Sequence, residues 1–252
     1  EGGGLLQVLE GCSAISFLAF CPAGRTLAGA GSLGDVFLWD LSGGALLRVF
    51  AASKGRYVDS LAFAPDGRSF VVAADDSVVR RWAVGSGELL SALDSRAQMP
   101  LCLAFAPDGV QLATGGYDAS VRVWDCASGR AAARFPGHDG LPVGCFCDGG
   151  EADAQCPVVG HRGPVCALRF CGGGVLLSAS YDGTCKAWRV ASRALLRTVQ
   201  LGPGVYSVAF GRDAARDDKC AAFAMGQHAR LGRGSWVAAL EEGVARMILD
   251  RV

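Results

Sequence analysis

The segment Leu103–Trp124, LAFAPDGVQLATGGYDASVRVW, recurs along the chain in four further imperfect copies. Its opening LAFAPDG is repeated in full once, and related heptads open the other copies; these four begin at Leu18, Leu61, Leu168 and Val208. The five starts lie 43, 42, 65 and 40 residues apart along the chain, so one interval is longer than the others. A repeat of about 40–45 residues predicts one structural unit per copy.

Each copy contains four short strand patterns, as the third one illustrates. The apolar run 103–105 meets a Pro-Asp-Gly turn at 107–109, where Pro sets the first φ and Asp-Gly occupies the tight positions. Residues 111–115 form the next run, and residues 121–124 alternate with β-branched and aromatic side chains. A fourth run follows at 131–135. Four strands per repeat predict an all-β fold built of β-propeller blades.

Signature residues recur in the copies at fixed spacing. Trp-Asp stands at 39–40 and 124–125, and Gly-His stands at 137–138 and 160–161. An Asp precedes a Trp by six residues three times, as Asp76/Trp82, Asp118/Trp124 and Asp182/Trp188. With these residues the chain resembles the WD40-repeat family over roughly residues 5–250. The resemblance implies a WD40-type β-propeller with about five recognisable four-stranded blades.

The repeats predict a single domain over residues 1–252. Blades are expected at about 12–50, 55–93, 98–135, 161–199 and 203–250, with an insert at 136–160. Residues 5–10, LLQVLE, resemble the fourth strands, so they are expected to form a strand of a preceding or closing blade. One spare fourth strand leaves two alternatives, a complete small propeller or a fragment of a larger ring. The fragment is favoured, because WD40 rings most often have seven blades.

The resemblance implies a structural tetrad within each blade, in which His, Ser or Thr, Asp and Trp are joined by hydrogen bonds. The fourth repeat carries the full set, His161, Ser178, Asp182 and Trp188. The third keeps Thr114, Asp118 and Trp124, and the second keeps Asp76 and Trp82. Because such networks are cooperative, the incomplete sets are expected to stabilise their blades less than proportionally.

The resemblance also implies a partner-binding face at the turns between second and third strands. The residues just before the turn Asp are expected on this face, namely Asp75, Tyr117 and Tyr181. Three more residues are expected at or near the same rim, namely Arg162, Tyr57 and Met99. Tyrosine offers a large, stiff contact area with a polar tip, so Tyr117 and Tyr181 are the expected anchor pair.

The insert at 136–160 raises the question of a metal. It contains His138, Cys145, Cys147 and Cys156 and is followed by His161. Thiolate and imidazole ligands suit tetrahedral zinc, but the spacing is not that of two paired knuckles, and His161 is better used in the tetrad. A Gly-rich surface loop with free thiols is therefore expected, with no metal and no cofactor.

The composition restricts which classes of partner and which cellular compartment are expected. The 24 basic and 24 acidic residues balance, which argues against nucleic acid or an anionic membrane as partner. The apolar runs are short and interrupted by Gly and Pro, far from the ~20 residues that span a bilayer. The 11 cysteines, an odd number, favour a reducing cytoplasmic or nuclear setting.

Catalysis is not expected, and no residue is assigned a catalytic role. Ser178, His161 and Asp182 are the residue types of a hydrolase triad, but the chain has no Gly-x-Ser-x-Gly elbow. The expected function is a protein-interaction scaffold that binds other proteins or peptides through propeller loops. The alternative is a substrate-receptor or adaptor subunit of a ubiquitin-ligase-type complex, although the Trp-Asp-x-Arg docking box is missing. A hydrolytic propeller ranks third.

Overall fold

The computed structural model describes residues 8–10, 14–53, 55–95, 99–137, 160–202, 205–212 and 220–226. These residues form four four-stranded antiparallel sheets, one pair of strands and a single 3-10 turn at Gly172–Gly174. No helix among the described residues is long and apolar enough to cross a membrane. The predicted all-β fold, built of blade-like sheets, is confirmed.

Within each four-stranded sheet, the strands lie side by side in chain order. The first sheet contains β1 Ile15–Phe20, β2 Thr26–Gly31, β3 Asp35–Asp40 and β4 Leu46–Ala51. The second contains β5 Val58–Phe63, β6 Ser69–Ala74, β7 Val78–Ala83 and β8 Leu89–Asp94. The third contains β9 Pro100–Phe105, β10 Gln111–Gly116, β11 Val121–Asp125 and β12 Ala131–Phe135. The fourth contains β13 Val165–Cys171, β14 Val175–Ser180, β15 Thr184–Arg189 and β16 Ala194–Gln200, and the fifth repeat contributes β17 Val205–Arg212 and β18 Cys220–Gly226.

Burial follows the position of a strand in its sheet. Every residue of β6 and β14 is buried, whereas most residues of the fourth strands β4 and β8 are exposed. The second strand lies between two neighbouring strands of its sheet, and in β6 and β14 both faces are buried. This explains why β6 is mostly an apolar run, SFVVAA, instead of an alternating pattern.

The chain divides into two compact units. The first comprises Glu1–Leu112 with Asp125–Arg130, and the second comprises Ala113–Trp124 with Ala131–Val252. In the first unit, Phe50 of β4 packs against Phe70 and Trp82 of the next sheet, with ring centroids 4.9 and 5.8 Å apart. In the second unit, Phe135 of β12 packs on Trp188 with centroids 5.0 Å apart. A fourth-strand Phe therefore covers the third-strand Trp of the following sheet in both units.

The tryptophan of the third strand also marks a register shift that recurs in every four-stranded sheet. In all four sheets the pairing of the third and fourth strands shifts register at this residue, at Trp39, Trp82, Trp124 and Trp188. A bulge adds one residue to a strand and bends it locally. Its recurrence at the same position shows that the four sheets are copies of one unit down to the strand register.

Two expectations concern segments that the structure describes only in part. Of the strand expected at residues 5–10, only Val8, Leu9 and Glu10 are described, and they form no strand. Leu9 packs against a cluster in the first sheet that includes Trp39. The later strands expected for the fifth repeat, with Trp236, lie outside the described residues.

Candidate functional site

The fourth sheet brings the side chains of all four tetrad residues together. The Trp188 indole N–H donates to Ser178 Oγ over 2.8 Å, and Ser178 Oγ lies 2.6 Å from His161 Nε2. Because Ser178 accepts from Trp188, its hydroxyl proton points to Nε2, which assigns the ring proton to Nδ1. Nδ1 lies 3.3 Å from Asp182 Oδ2 and 3.0 Å from Thr184 Oγ1. Hydrogen bonding thus runs unbroken from indole to carboxylate.

The charges in this network follow from burial and donors. His161 is 1 % exposed, and burial lowers the pKa of its ring despite the opposing effect of Asp182, so the ring is neutral at pH 7. Burial alone would raise the pKa of Asp182. Hydrogen bonds from His161, from the Arg162 amide at 2.7 Å and from Thr184 outweigh it and hold that pKa well below its usual range. The charged Asp182 therefore ties the β14–β15 turn to the loop before β13.

In the third sheet, the Thr114 hydroxyl and Asp118 serve separate partners. The Trp124 indole donates to Thr114 Oγ1 over 3.0 Å, inside the sheet. Asp118 accepts from the Ser120 amide at 2.9 Å and from the Arg122 guanidinium at 2.9 Å. Where the fourth sheet pairs its turn Asp with a histidine, the third pairs it with an arginine four residues later.

The second sheet has the ion pair between the turn aspartate and an arginine, but it has no described acceptor for its tryptophan. Both oxygens of Asp76 accept from Arg80, over 3.2 and 2.6 Å. Trp82 Nε1 has no hydrogen-bond partner and is the one buried side-chain nitrogen or oxygen among the described residues in that state. The position that holds Ser178 in the fourth sheet, opposite the residue four after the turn Asp, is Val72 here. A valine methyl group cannot accept a hydrogen bond, so the indole N–H is left unsatisfied.

The first sheet satisfies its tryptophan by a different route. Gly29 occupies the hydroxyl position, and a Cβ there would lie 2.6 Å from the Trp39 ring, so only glycine leaves room for it. The Trp39 indole instead donates to the backbone carbonyl of Glu10 over 3.1 Å. All four sheets keep the tryptophan, but only two provide a hydroxyl acceptor.

The Ser-His-Asp set of the fourth sheet is arranged for structure. Ser178 is 0 % exposed, and its oxygen already accepts the Trp188 indole proton. A hydrolytic serine must reach a substrate carbonyl with its oxygen and pass its proton to histidine in the same step. Ser178 meets the second requirement and fails the first, because the oxygen is enclosed within the sheet.

At one end of the fourth sheet, exposed side chains surround the network. Tyr181 precedes Asp182 and is 37 % exposed, and its amide donates to the Pro164 carbonyl over 3.0 Å. Arg162 is exposed, and its own amide is bound to Asp182. The turn and the loop before β13 are therefore held side by side, with Tyr181 and Arg162 pointing into solvent.

The remaining residues of the expected binding face are exposed as well. In the second unit, Tyr117 precedes Asp118 and is 55 % exposed. In the first unit, Asp75 is exposed, its amide donates to the carbonyl of Tyr57 over 3.1 Å, and Tyr57 is 48 % exposed. Met99, just before β9, is 44 % exposed. In the second sheet, as in the fourth, the turn before the third strand lies beside the segment that leads into the first strand.

One titratable residue near this end was missed by sequence reasoning. Asp59 lies on β5, and burial together with the nearby Asp75 carboxylate raises its pKa to about 6. The available signal was an acidic residue inside a strand of otherwise apolar and small side chains, VDSLAF. Asp59 and Asp75 form a locally negative region beside Tyr57.

The insert contributes no described metal site. Its His138, Cys145, Cys147 and Cys156 lie outside the described residues, and His161 is engaged in the network above. Among the residues that the structure does describe, no three His, Cys, Asp or Glu side chains are grouped as metal ligands. The two ends of the insert meet, since a Cβ on Gly160 would overlap the Pro136 carbonyl oxygen.

Comparison with known families agrees with this repeated geometry. Residues 88–125 and 154–189 match a family model described as WD domain, G-beta repeat. Residues 18–106 match a model described as anaphase-promoting complex subunit 4 WD40 domain. A search of the curated proteins finds no match. The two family matches together cover more than half of the chain and fall on its blade-like sheets, so the chain belongs to the WD40-repeat family.

Proposed function

We propose that this WD40-repeat chain is a non-enzymatic scaffold that binds other proteins or peptides within a multiprotein complex. WD40 repeats typically mediate protein–protein interaction and are generally non-catalytic. The observation that carries the proposal is the exposure of Tyr117 and Tyr181 at equivalent turns of the third and fourth sheets. Each turn ends in an aspartate that hydrogen bonds hold in place.

The physical basis of recognition is preorganisation. Binding costs free energy when loops and side chains must be ordered, at about 0.5–1.5 kcal/mol for each flexible side chain. The turn that carries Tyr181 is already fixed by the contacts of Asp182 with Arg162, Thr184 and His161. A tyrosine on such a turn has few torsions left to lose, and aromatic residues dominate the energetics of interfaces.

The setting that we propose is a cytoplasmic or nuclear assembly. Six of the cysteines that the structure describes, from Cys21 to Cys185, form no disulfide, in keeping with a reducing compartment. The balanced charge of the chain supports proteins over nucleic acids or anionic membranes as partners.

A second candidate is an adaptor or substrate-receptor subunit of a ubiquitin-ligase-type complex. The match of residues 18–106 to a WD40 domain from a subunit of a named complex, the anaphase-promoting complex, favours a place within a large assembly. In this second candidate the chain binds proteins through the same loops, and the complex to which it belongs is a ubiquitin ligase.

The experiment compares proteins recovered with the tagged wild-type chain and with the double variant Tyr117→Ser, Tyr181→Ser, by quantitative mass spectrometry. We expect the recovered amount of a defined set of proteins to be at least ten-fold lower with the variant. A purified protein from this set should then bind the variant more weakly than the wild type. Val110→Ser is the matched control, because Val110 is 52 % exposed in the turn between β9 and β10. Equal recovery with the folded double variant would refute the proposal. Ligase subunits among the lost proteins would select the second candidate.

A further inference from the structure

The fourth sheet carries an open, polar pocket of about 440 Å³ beside the β14–β15 turn. Its walls include two cationic side chains, Arg162 and Lys186, the hydroxyls of Thr184 and Thr198, the Gln200 amide and the Asp182 carboxylate. This volume is within the range of small-ligand pockets. Asp182 accepts hydrogen bonds from His161, Thr184 and the Arg162 amide and keeps its negative charge, so the pocket wall holds two cations and one anion.

Lys186 is a buried cation in the wall of this pocket. It is 5 % exposed, and its ammonium donates one hydrogen bond, to Thr198 Oγ1 over 3.1 Å. No ion pair among the described residues includes it. An ammonium has three donors, and a buried charge is costly unless it is paired. Two of its donors therefore have no described hydrogen-bond partner, and burial lowers the pKa of the ammonium while the Asp182 carboxylate opposes that shift without forming an ion pair with it.

The other sheets show how this charge is normally compensated. The residue four positions after the turn Asp is arginine in the second and third sheets, and each arginine forms an ion pair with that Asp. The distances are 2.6 Å for Arg80–Asp76 and 2.9 Å for Arg122–Asp118. In the fourth sheet Asp182 bonds to His161, and Lys186 at the same position forms no ion pair with it.

We propose that this pocket binds a phosphate group, with Lys186 and Arg162 as its charged donors. A phosphate offers several oxygens at tetrahedral angles, which suits a point-charge lysine, a forked arginine and hydroxyl donors from different directions. The Thr198 hydroxyl accepts from Lys186 and can donate its own proton to a phosphate oxygen. A planar carboxylate has two oxygens and would leave more of these donors unused.

The test titrates the full chain with inorganic phosphate by isothermal calorimetry at constant ionic strength, using chloride as the balancing salt. We expect saturable binding, a parallel rise in Tm, and at least a ten-fold loss of affinity in Lys186→Met, which keeps the length of the buried side chain. Arg197→Gln is the matched control, because Arg197 is exposed and precedes Thr198 on β16. It removes one positive charge outside the pocket and should bind as the wild type does.

Further titrations test the proposal and identify the source of the phosphate group. A phosphoserine peptide that binds more tightly than phosphate would identify a phosphorylated partner, and equal affinities would identify a free phosphate ligand. Absence of saturable binding, equal binding of acetate, or full affinity in folded Lys186→Met would overturn the proposal. If Lys186→Met does not fold, Arg162→Gln replaces it, since this side chain is exposed and its backbone bond to Asp182 is kept. The proposal does not depend on Tyr117 or Tyr181.

Discussion

At the scale of single residues, one hydroxyl separates two otherwise equivalent tryptophans. Trp124 donates to Thr114 Oγ1, whereas Trp82 has Val72 at the corresponding position and no acceptor. Threonine and valine have nearly the same shape and differ in one polar atom. An unsatisfied buried donor costs about 1–3 kcal/mol, so this site is a defect that one substitution can repair.

We predict that Val72→Thr stabilises the protein by about 1 kcal/mol, because the new hydroxyl accepts the Trp82 indole proton. For a chain of this size, the corresponding rise in Tm is about 2–4 °C. Thermal and urea unfolding measure the effect.

The reverse exchange in the third sheet is the control. Thr114→Val should destabilise by about 1–3 kcal/mol, because it leaves the Trp124 indole without its acceptor. If Val72→Thr and Thr114→Val shifted the free energy of unfolding in the same direction, the hydroxyl would not be the acceptor that separates the two tryptophans.

Asp59 provides a second prediction at this scale. Its folded pKa of about 6 exceeds the ordinary 3.8, so the native state binds more protons than the unfolded state between these values. The contribution of Asp59 to stability is therefore greatest below pH 4 and is lost as pH rises to about 6. Asp59→Asn should raise the free energy of unfolding at pH 7 by about 1 kcal/mol, a figure reduced for solvent screening of a partly exposed carboxyl.

The measurement is the difference in urea midpoint between wild type and Asp59→Asn from pH 3 to pH 7. It should be large above pH 6 and small below pH 4. Asp75→Asn should remove part of the difference, because the Asp75 charge contributes to the shift. A difference independent of pH would show that the carboxyl charge is not its source.

At the scale of elements, the turn between second and third strands follows one design in three sheets. Asp76, Asp118 and Asp182 each accept the backbone amide two residues later. The residue after the Asp has a positive φ in every case, 62° at Ser77, 59° at Ala119 and 79° at Gly183. Glycine adopts this conformation without steric cost, and other residues adopt it at about 1–2 kcal/mol.

Ser77→Gly should therefore stabilise the second sheet by about 0.5–1 kcal/mol, after allowance for the greater freedom of glycine in the unfolded chain. Gly183→Ser, the reverse change in the fourth sheet, should destabilise by about 1 kcal/mol. Chemical denaturation of the two variants tests the pair. Stabilisation by Gly183→Ser would show that the backbone angle does not limit this turn.

At the scale of the whole molecule, several groups give stability the same dependence on pH. The folded pKa of His161 lies below 6.5, so its contribution is lost as pH falls below that value. Burial raises the pKa of Asp76, but the hydrogen bonds from Arg80 and the Val78 amide, together with nearby arginine charges, outweigh it and lower that pKa. The donors around Asp182 act in the same way. Both carboxylates stabilise the native state above about pH 4, and this stabilisation is lost as pH falls further. Asp59 acts in the opposite direction between pH 6 and pH 4.

We predict that the urea midpoint falls most steeply below pH 4, where Asp76 and Asp182 bind protons in the unfolded chain but remain charged in the native state. Asp182→Asn should lower the midpoint at pH 7 and make the fall below pH 4 shallower, because one of the depressed carboxyl groups is gone. A fall in the variant as steep as in the wild type would assign the acid sensitivity to other groups.

The sequence by itself determined the family and the four-strand repeat. Both depend on local patterns, alternation, Pro-Asp-Gly turns and the six-residue spacing from Asp to Trp, which neighbouring residues impose on one another along a strand or turn. The exposure of Tyr117 and Tyr181 follows from the same logic, since a turn position projects from the end of a sheet. The partners expected from this face remain a proposal.

Only the tertiary structure decided which partner each polar group has. Nothing local reveals that Trp39 donates to the Glu10 carbonyl, that Trp82 finds no substitute acceptor among the described residues, or that Lys186 forms no ion pair with Asp182. The burial that raises the pKa of Asp59 is likewise set by packing around β5. Hydrogen bonds, burial and charge pairing depend on distances between residues far apart in the chain, and these distances exist only after the sheets have packed.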